Sequence, residues 1–265
     1  NAFGISFPSV RAMRLTILGS SGGYPGPDNP TSGFLVEHAA GKVWLDAGHG
    51  TFSALQRETD CTALDAVLVS HVHADHCVDL HAMYVAFRFR VEGVLQKRLC
   101  CPQEVWDRVP VLTADPPEAE AAFRVAFDFQ AVDAGDVVEV AGFRVSFLRT
   151  DHPNHCLAMR LESEEGILTY SADTGPKADL AGFARGSDLL LCEATYQEGR
   201  IGAPVHLSAR QAAETAVRAG VRDLVLTHVW PTFDPRISVE EARAAAGDVR
   251  VEWATPGAAF AVRAG

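Results

Sequence analysis

The sequence predicts a layered α/β protein in which two mixed β-sheets are flanked by helices. Three observations support this prediction. Short apolar runs suited to strands recur along the chain, helical segments separate groups of them, and several runs end at histidine or aspartate. The order of strands, helix, strands, helix and strands indicates two sheet-and-helix halves packed as one domain. We expect residues 1–12 to be an N-terminal extension and residues 13–265 to form the single domain.

The first half of the chain begins with a strand, MRLTIL, and the glycine-rich turn GSSGGYPGPDNP. Apolar runs of strand length and apolar residues at helical spacing alternate after this turn. The predicted elements are strands over 13–18, 32–37, 42–46, 64–70 and 96–101 and helices over 52–57 and 79–89.

The second half opens with residues 102–133, where the breaker ADPPEAE separates two short predicted helices. Whether this segment covers a site as a lid stays open. Ser208 and Gln211 have the spacing of a helix-starting capping box, and Gly220 is typical of a helix end. The further predicted elements are strands over 137–140, 143–149, 167–171, 189–192 and 224–227, a last strand within 253–262, and a helix over 208–219.

Composition limits the classes of function. The formal net charge of the 265 residues is −11, which disfavours binding to the phosphate backbone of nucleic acids. No apolar run is long enough for a membrane helix. The six cysteines form no CxxC pair, and a chain of this length has no need of disulfides, so we expect reduced core thiols and a cytoplasmic location.

The segment SHVHADH gathers metal-type ligands directly after an apolar strand. In extended backbone, alternate side chains point the same way, so His71 and His73 can bind one ion. Asp75 and His76 follow after the chain turns and can reach a second ion. Imidazole and carboxylate together suit Zn²⁺, with Mn²⁺ or Fe²⁺ as alternatives.

The same arrangement recurs at three other strands. VSFLRTDH ends at His152, ILTYSAD ends at Asp173, and DLVLTH ends at His228. Ligand sites of layered α/β folds form where strand ends and their loops converge. These residues are therefore predicted to meet the first cluster in one metal site.

The pattern H-x-H-x-D-H, together with LDAGHGT upstream and His152, Asp173 and His228 downstream, resembles the metallo-β-lactamase superfamily. The resemblance extends over nearly the whole chain from Met13. It implies an αβ/βα sandwich with two divalent ions at its rim, and Asp46 of LDAG as a residue that braces the ligands. The implied ligands are His71, His73 and His152 for the first ion, Asp75, His76 and His228 for the second, and Asp173 as the bridge.

Two further segments narrow the branch. LLLCEATY and VHLSARQAAETA resemble the Glu-Ala-Thr and His-Ser-Thr segments of the ribonuclease Z-like phosphodiesterases. The resemblance implies that Glu193 supports His206, and that this pair stabilises the developing phosphorane or protonates the leaving oxygen. In this chain the segment reads His-Leu-Ser where that branch has His-Ser-Thr.

The expected function is hydrolysis of a small, for example cyclic, phosphodiester by a metal-bridging hydroxide that Asp75 orients. Transfer RNA fits less well, because the chain is acidic and the short segment between His152 and Asp173 leaves no room for the long basic arm of several tRNA-processing relatives. The alternatives are a tRNA 3′-end endoribonuclease without the arm, a lactone or thioester hydrolase, and a non-catalytic metal-binding accessory protein. A homodimer is plausible for the superfamily, although the sequence indicates no interface.

Three other histidines lie near these motifs. His155 follows His152 by three positions, and we choose His152 as the ligand, leaving His155 a packing or supporting role. His49, in the LDAGHGT loop, is expected to be structural. For His81, on the helix after the cluster, helix packing is favoured over substrate contact.

Overall fold

The computed structural model describes residues 12–89, 96–114, 118–200 and 202–264. Within these ranges, two sheets of seven strands each face one another. Strands and helices are numbered in chain order. The first sheet, in spatial order, contains β14 (Ala259–Val262), β1 (Met13–Gly19), β2 (Gly33–His38), β3 (Gly41–Ala47), β4 (Ala66–Leu68), β5 (Lys97–Cys101) and β6 (Phe127–Ala131). The second contains β13 (Arg250–Trp253), β12 (Asp223–Thr227), β11 (Leu189–Glu193), β10 (Gly166–Tyr170), β9 (Leu157–Ser163), β8 (Phe143–Arg149) and β7 (Val137–Val140).

Helices cover the outer face of each sheet. The α-helices of the described residues are α1 (Thr51–Glu58), α2 (Ala74–Cys77), α3 (Asp79–Arg88), α4 (Gln103–Arg108), α5 (Glu118–Phe123), α6 (Leu180–Phe183), α7 (Ala209–Ala219) and α8 (Pro235–Arg243), with short 3₁₀ helices at Cys61–Ala63 and Pro110–Leu112. None of these helices is long and apolar enough to cross a membrane.

Three apolar clusters hold the layers together. One lies between the sheets and joins Phe34 and Leu45 of the first sheet to Phe143 and Tyr170 of the second. The other two pack helices onto the outer faces, for example Trp106 of α4 under the first sheet. Burial of these side chains is the main favourable term in folding. The predicted αβ/βα sandwich is confirmed.

Both sheets follow the same plan. β1, β2 and β3 pair antiparallel, and β3 to β6 pair parallel; β7 to β10 pair antiparallel, and β10 to β13 pair parallel. Parallel neighbours end at the same edge of a sheet, which is where α/β proteins place their ligand sites. The carboxyl ends of β3, β4, β10, β11 and β12 therefore lead into one rim.

Most predicted elements are present within one or two residues of their expected bounds. The capping box of α7 forms as predicted: Gln211 N donates to Ser208 Oγ at 3.2 Å, Ser208 N donates to Gln211 Oε1 at 2.9 Å, and Gly220 ends the helix with φ +70°. The strand expected over 64–70 is shorter, because only Ala66–Leu68 keep ladder pairing and Ser70 bonds to a side chain instead.

Six strands and α-helices of the described residues go beyond the prediction: β6, β9, β13, α2, α6 and α8. β6 belongs to the 102–133 segment. That segment packs Trp106, Phe123 and Phe127 into the helix layer under the first sheet, so these side chains belong to the core.

Candidate metal centre

The seven predicted metal ligands come together at the rim. Ligand atoms of His71, His73, His152 and Asp173 lie within 4.8 Å of one another, as do those of Asp75, His76 and His228. The two groups correspond to the two ion sites that the sequence motifs imply. Apart from His73, which is partly buried, all of these side chains are buried.

Asp173 faces both groups. Its Oδ2 lies 3.7 Å from His71 Nε2 and 3.9 Å from His152 Nε2. Its Oδ1 lies 3.3 Å from His76 Nε2 and 3.4 Å from His228 Nε2. One carboxylate oxygen is thus directed to each group, which is the placement that a bridging ligand requires.

The spacing of these atoms suits a small divalent ion. Ligand atoms around a tetrahedral zinc ion, at bond lengths near 2.0–2.1 Å, are about 3.3 Å apart. Asp75 Oδ2 lies 3.5 Å from His76 Nε2 and 3.2 Å from His228 Nε2, close to this spacing. Among the described residues, the buried atoms His71 Nε2, His76 Nε2 and Asp173 Oδ1 have no hydrogen-bond partner. Such groups are costly to bury unless something else binds them.

Each of three ligand histidines is held at Nδ1, which leaves Nε2 directed into the site. His76 Nδ1 lies 2.7 Å from Asp46 Oδ2, His71 Nδ1 lies 3.0 Å from Ser70 Oγ, and His228 Nδ1 lies 2.8 Å from Thr195 Oγ1. Outer contacts of this kind fix the tautomer and the ring orientation of metal-binding histidines.

Asp46 is the centre of this outer network. Its Oδ1 accepts a bond from Ser70 N at 2.7 Å, and its Oδ2 accepts bonds from Ser70 Oγ at 2.8 Å and Tyr170 Oη at 2.7 Å. The bracing role that the resemblance implied for Asp46 agrees with these contacts. Tyr170, Ser70 and Thr195 were not identified from the sequence. Thr195 lies in the quoted CEATY segment, which could have pointed to it, whereas the contact of Tyr170 depends on how the two sheets face each other.

The backbone at the rim is tightly constrained. The φ angle is +55° at Asp46, +48° at Ala172 and +60° at His228. Residues other than glycine rarely adopt this left-handed region of backbone conformation. A Cβ atom on Gly48 would lie 1.9 Å from the carbonyl oxygen of Asp75. Strain of this kind concentrates at functional sites, where the surrounding structure holds it in place.

Glu193 and His206 form the predicted pair. His206 Nδ1 lies 3.0 Å from Glu193 Oε1, and the His206 ring centroid lies 5.4 Å from that of His228 and 5.7 Å from that of His152. Glu193 also accepts bonds from Thr174 N at 2.6 Å and Leu207 N at 3.2 Å. A nitrogen of His206 comes close enough to Asp173 and His228 to form a third group of metal-type atoms. Geometry alone therefore allows His206 either an acid role or a ligand role.

The local environment shifts the pKa values of the histidines in different directions. Burial lowers the pKa of His71 and His73, and it lowers the pKa of His152 to about 4, so that all three rings are neutral. Burial also acts to lower the pKa of His206, but the hydrogen bond and charge of Glu193 raise it to about 9. Neutral imidazole binds metal, whereas imidazolium donates a proton.

The carboxylates are also shifted. Burial acts to raise the pKa of Asp75, but His76 and His228 hold it far below its usual value. Asp173 is likewise held ionised against burial, above all by the charges of His228 and His76. In return, the carboxylates of Asp173, Asp75 and Asp46 overcome burial and raise the pKa of His76 well above its usual value.

The remaining histidines stay outside these groups. His155 Nε2 lies 3.0 Å from Asp133 Oδ1 and its side chain is 35% exposed, so His152 and not His155 joins the ligand group. His81 lies near Tyr84, with ring centroids 6.1 Å apart and ring planes tilted by 46°. His49 lies in the loop after β3, where its carbonyl oxygen accepts a bond from Thr31 N.

Comparison with known proteins agrees with this geometry. Residues 42–229 match the family model described as the β-lactamase superfamily domain. An uncharacterized protein of Mycobacterium leprae is 34% identical over 91% of this chain and 86% of its own length. The probable metallo-hydrolase YhfI of Bacillus subtilis is 27% identical over 82% of this chain and 87% of its own length.

The crystal structure of YhfI, titled a metallo-β-lactamase fold protein, superimposes with a TM-score of 0.84 at 25% identity over 94% of this chain and 99% of YhfI. Ribonuclease Z of Clostridium perfringens is 23% identical over 88% of this chain and 94% of its own length. The chain therefore belongs to the β-lactamase superfamily, in the metallo-β-lactamase fold that its motifs predicted.

Proposed function

We propose that the protein is a metal-dependent hydrolase of small phosphodiesters that works with two divalent cations, with zinc expected and manganese or iron as alternatives. The observation that carries this proposal is the Glu193–His206 pair, 3.0 Å apart, beside a complete set of seven metal-type ligands. Bound cations would supply a Lewis acid for the phosphoryl oxygens and lower the pKa of an attacking water. His71, His73 and His152 would bind one cation, Asp75, His76 and His228 the other, and Asp173 both.

The chain itself provides orientation and a proton. Asp75 Oδ2 accepts a bond from Gly23 N at 2.8 Å, which fixes the carboxylate that would orient the attacking water. As the water oxygen bonds to phosphorus, the bond to the leaving oxygen breaks. His206, protonated and held at Nδ1 by Glu193, would donate its Nε2 proton to that oxygen. General acid catalysis of this kind contributes about 10²–10⁴-fold in rate.

The relatives give support of two kinds. YhfI is named a probable metallo-hydrolase, and ribonuclease Z acts on a phosphodiester by its name. The alignment with ribonuclease Z extends over 300 positions, more than the 265 residues of this chain, so that relative carries segments this chain lacks. Together with the net charge of −11, this favours a small phosphodiester over an RNA.

The second candidate is tRNA 3′-end processing, which the similarity to ribonuclease Z favours. Lactone or thioester hydrolysis has no evident use for a carboxylate-held imidazolium. A non-catalytic accessory role would leave the pair without a purpose. A cytoplasmic location and a homodimer remain part of the proposal.

The test combines metal content with turnover. Purified protein is analysed for zinc, manganese and iron and assayed with bis(p-nitrophenyl) phosphate, 2′,3′- and 3′,5′-cyclic nucleotides and a precursor tRNA. We expect about two metals per chain and turnover of the small diesters. His206→Ala should keep the metals and lose about 10²–10⁴-fold in kcat.

His155→Ala is the matched control, because His155 forms a histidine–carboxylate pair of the same length outside the ligand groups. It should leave turnover unchanged. Two metals without any diester turnover would refute the proposal. Loss of metal in His206→Ala would make His206 a ligand and would refute its acid role.

A further inference from the structure

A cavity with mostly apolar walls lies next to the metal centre, beside Val229 and Trp230, which directly follow the ligand His228. It has a volume of about 430 Å³, within the range of roughly 300–1,000 Å³ that small-molecule sites occupy. Its walls include Trp230, Phe233 and Trp253, with Asp28 and Asn29 as polar residues. None of its described lining residues is a lysine or arginine. The cavity therefore suits an uncharged, flat group better than a phosphate.

The two aromatic rings at its edge are arranged for stacking. The rings of Trp230 and Phe233 are nearly parallel, 22° apart, with centroids separated by 6.2 Å. Arg200 lies over the ring of Phe233 at 5.2 Å. Trp230 keeps 40% of its surface exposed, so its ring is accessible to a ligand in the cavity.

The loop that carries these rings is fixed before any ligand arrives. Phe233 N donates to Trp230 O at 2.9 Å, and the side chain of Gln197 donates to Asp234 O at 2.7 Å. Asp234 in turn accepts a bond from Arg236 N at the start of α8. A preformed aromatic surface loses little entropy when a flat ligand binds.

One residue separates the cavity from the proposed ligands. Gly23 N donates to Asp75 Oδ2 at 2.8 Å, and a Cβ atom on Gly23 would lie 3.9 Å from Trp230 Nε1. The loop of residues 20–23 is tied to the strand end beside it, because His228 N donates to Ser20 O at 2.8 Å and Gly22 N to Val229 O at 3.1 Å. A ligand with its phosphate at the metal centre can thus reach the aromatic rings across Gly23.

We propose that this cavity, formed around Trp230, Phe233 and Trp253, binds the nucleobase of a nucleotide whose phosphate lies at the metal centre. The inference rests on the proposed function and specifies its substrate class as nucleotides. Base stacking on an aromatic side chain contributes about five- to a hundredfold in affinity.

The test measures binding without turnover. Calorimetry on the metal-loaded protein compares adenosine and guanosine 5′-monophosphate with ribose 5-phosphate, which keeps the phosphate and lacks the base. We expect the nucleotides to bind about five- to a hundredfold more tightly. Trp230→Ala should remove that difference and leave the dissociation constant of ribose 5-phosphate unchanged, while Trp230→Phe should retain most of it.

Phe89→Ala is the matched control, because Phe89 is an aromatic residue with 73% exposure that does not line this cavity. It should bind all three compounds as the wild type does. Phe233→Leu gives a second variant in the cavity should Trp230→Ala fail to fold. Equal dissociation constants in the wild type, no binding of either nucleotide, or a difference that survives in Trp230→Ala would overturn the proposal. Selective nucleotide binding without any diester turnover would refute the proposed function and leave this cavity assigned.

Discussion

His71 and His206 belong to the same site, and their surroundings shift their pKa values in opposite directions. His71 meets only the hydroxyl of Ser70 at Nδ1, and burial keeps its ring neutral. His206 meets the carboxylate of Glu193 at the same atom, and its pKa rises to about 9. The comparison teaches that burial keeps the ring of His71 neutral, whereas a carboxylate at Nδ1 overcomes the effect of burial at His206.

His76 tests this lesson within the metal centre. Its Nδ1 also meets a carboxylate, that of Asp46, and the charges of Asp173, Asp75 and Asp46 raise its pKa although the ring is fully buried. Binding of a cation at His76 Nε2 would therefore displace a proton, whereas the neutral ring of His71 would bind one without releasing a proton. Metal binding that releases protons depends on pH.

The largest expected effect comes from removing the negative charge shared by both ligand groups. Asp173→Asn should abolish turnover and lower the bound metal well below two per chain, because Asp173 faces both groups with one oxygen each. Metal analysis after dialysis measures this. Asp223→Asn, which removes a carboxylate paired with Arg250 on the surface, is the control and should keep both metals. Full metal content in Asp173→Asn would contradict the bridging role.

A smaller effect should follow from neutralising the partner of His206. Glu193→Gln keeps the shape of the side chain but removes the charge that raises the pKa of His206, and it loses one of the two oxygens that accept bonds from Thr174 N and Leu207 N. We expect kcat to fall about 10–100-fold and its alkaline limit to move to lower pH. The double variant with His206→Ala should be no slower than His206→Ala alone, because the two residues act as a unit. Additive losses would show that Glu193 acts independently of His206.

The last expected effect is on stability and not on turnover. In the metal-free protein, the pKa of His206 is raised from 6.5 to about 9, so its pair with Glu193 stabilises the fold fully below pH 6.5 and loses this contribution as pH rises through about 9. His206→Gln cannot titrate. We expect its deficit in unfolding free energy, relative to the wild type, to be larger below pH 6.5 than above pH 9 by up to about 3 kcal/mol.

Urea unfolding with a chelator present, at both pH values, measures this difference. His155→Gln provides the comparison at a more exposed histidine–carboxylate pair, where solvent screening should leave only a small deficit in unfolding free energy. A deficit that is equal at the two pH values would mean that His206 is not protonated in the folded protein.

The sequence predicted the fold and the composition of the site well for identifiable reasons. Strands such as β10, β11 and β12 are short apolar runs, and each ends at or shortly before a residue of the site, namely Asp173, Glu193 or His228, so pattern and motif indicate the same arrangement. β9 was missed because Arg160 and Glu162 interrupt its apolar pattern; in the structure these two pair with each other at 2.8 Å. β6 was missed because the alternate residues Asp128 and Gln130 break its apolar run.

The supporting contacts of the site could not be predicted. Tyr170 reaches Asp46 across the interface of the two sheets, 124 positions away in sequence. The left-handed backbone at Ala172 is set by its surroundings and not by its residue type. The cavity beside Trp230 forms between loops that precede β2 and follow β12. Each of these depends on long-range packing, for which local sequence carries no signal.

The division of the ligands between the two sheets has a consequence for the lifetime of the protein. His71, His73, Asp75 and His76 come from the first half of the chain, and His152, Asp173 and His228 come from the second. Cations bound at the rim would tie residue 71 to residue 228, as a disulfide ties two distant cysteines, and would restrict the unfolded chain in a comparable way. Metal supply would then govern how long each molecule survives proteolysis as well as how fast it works.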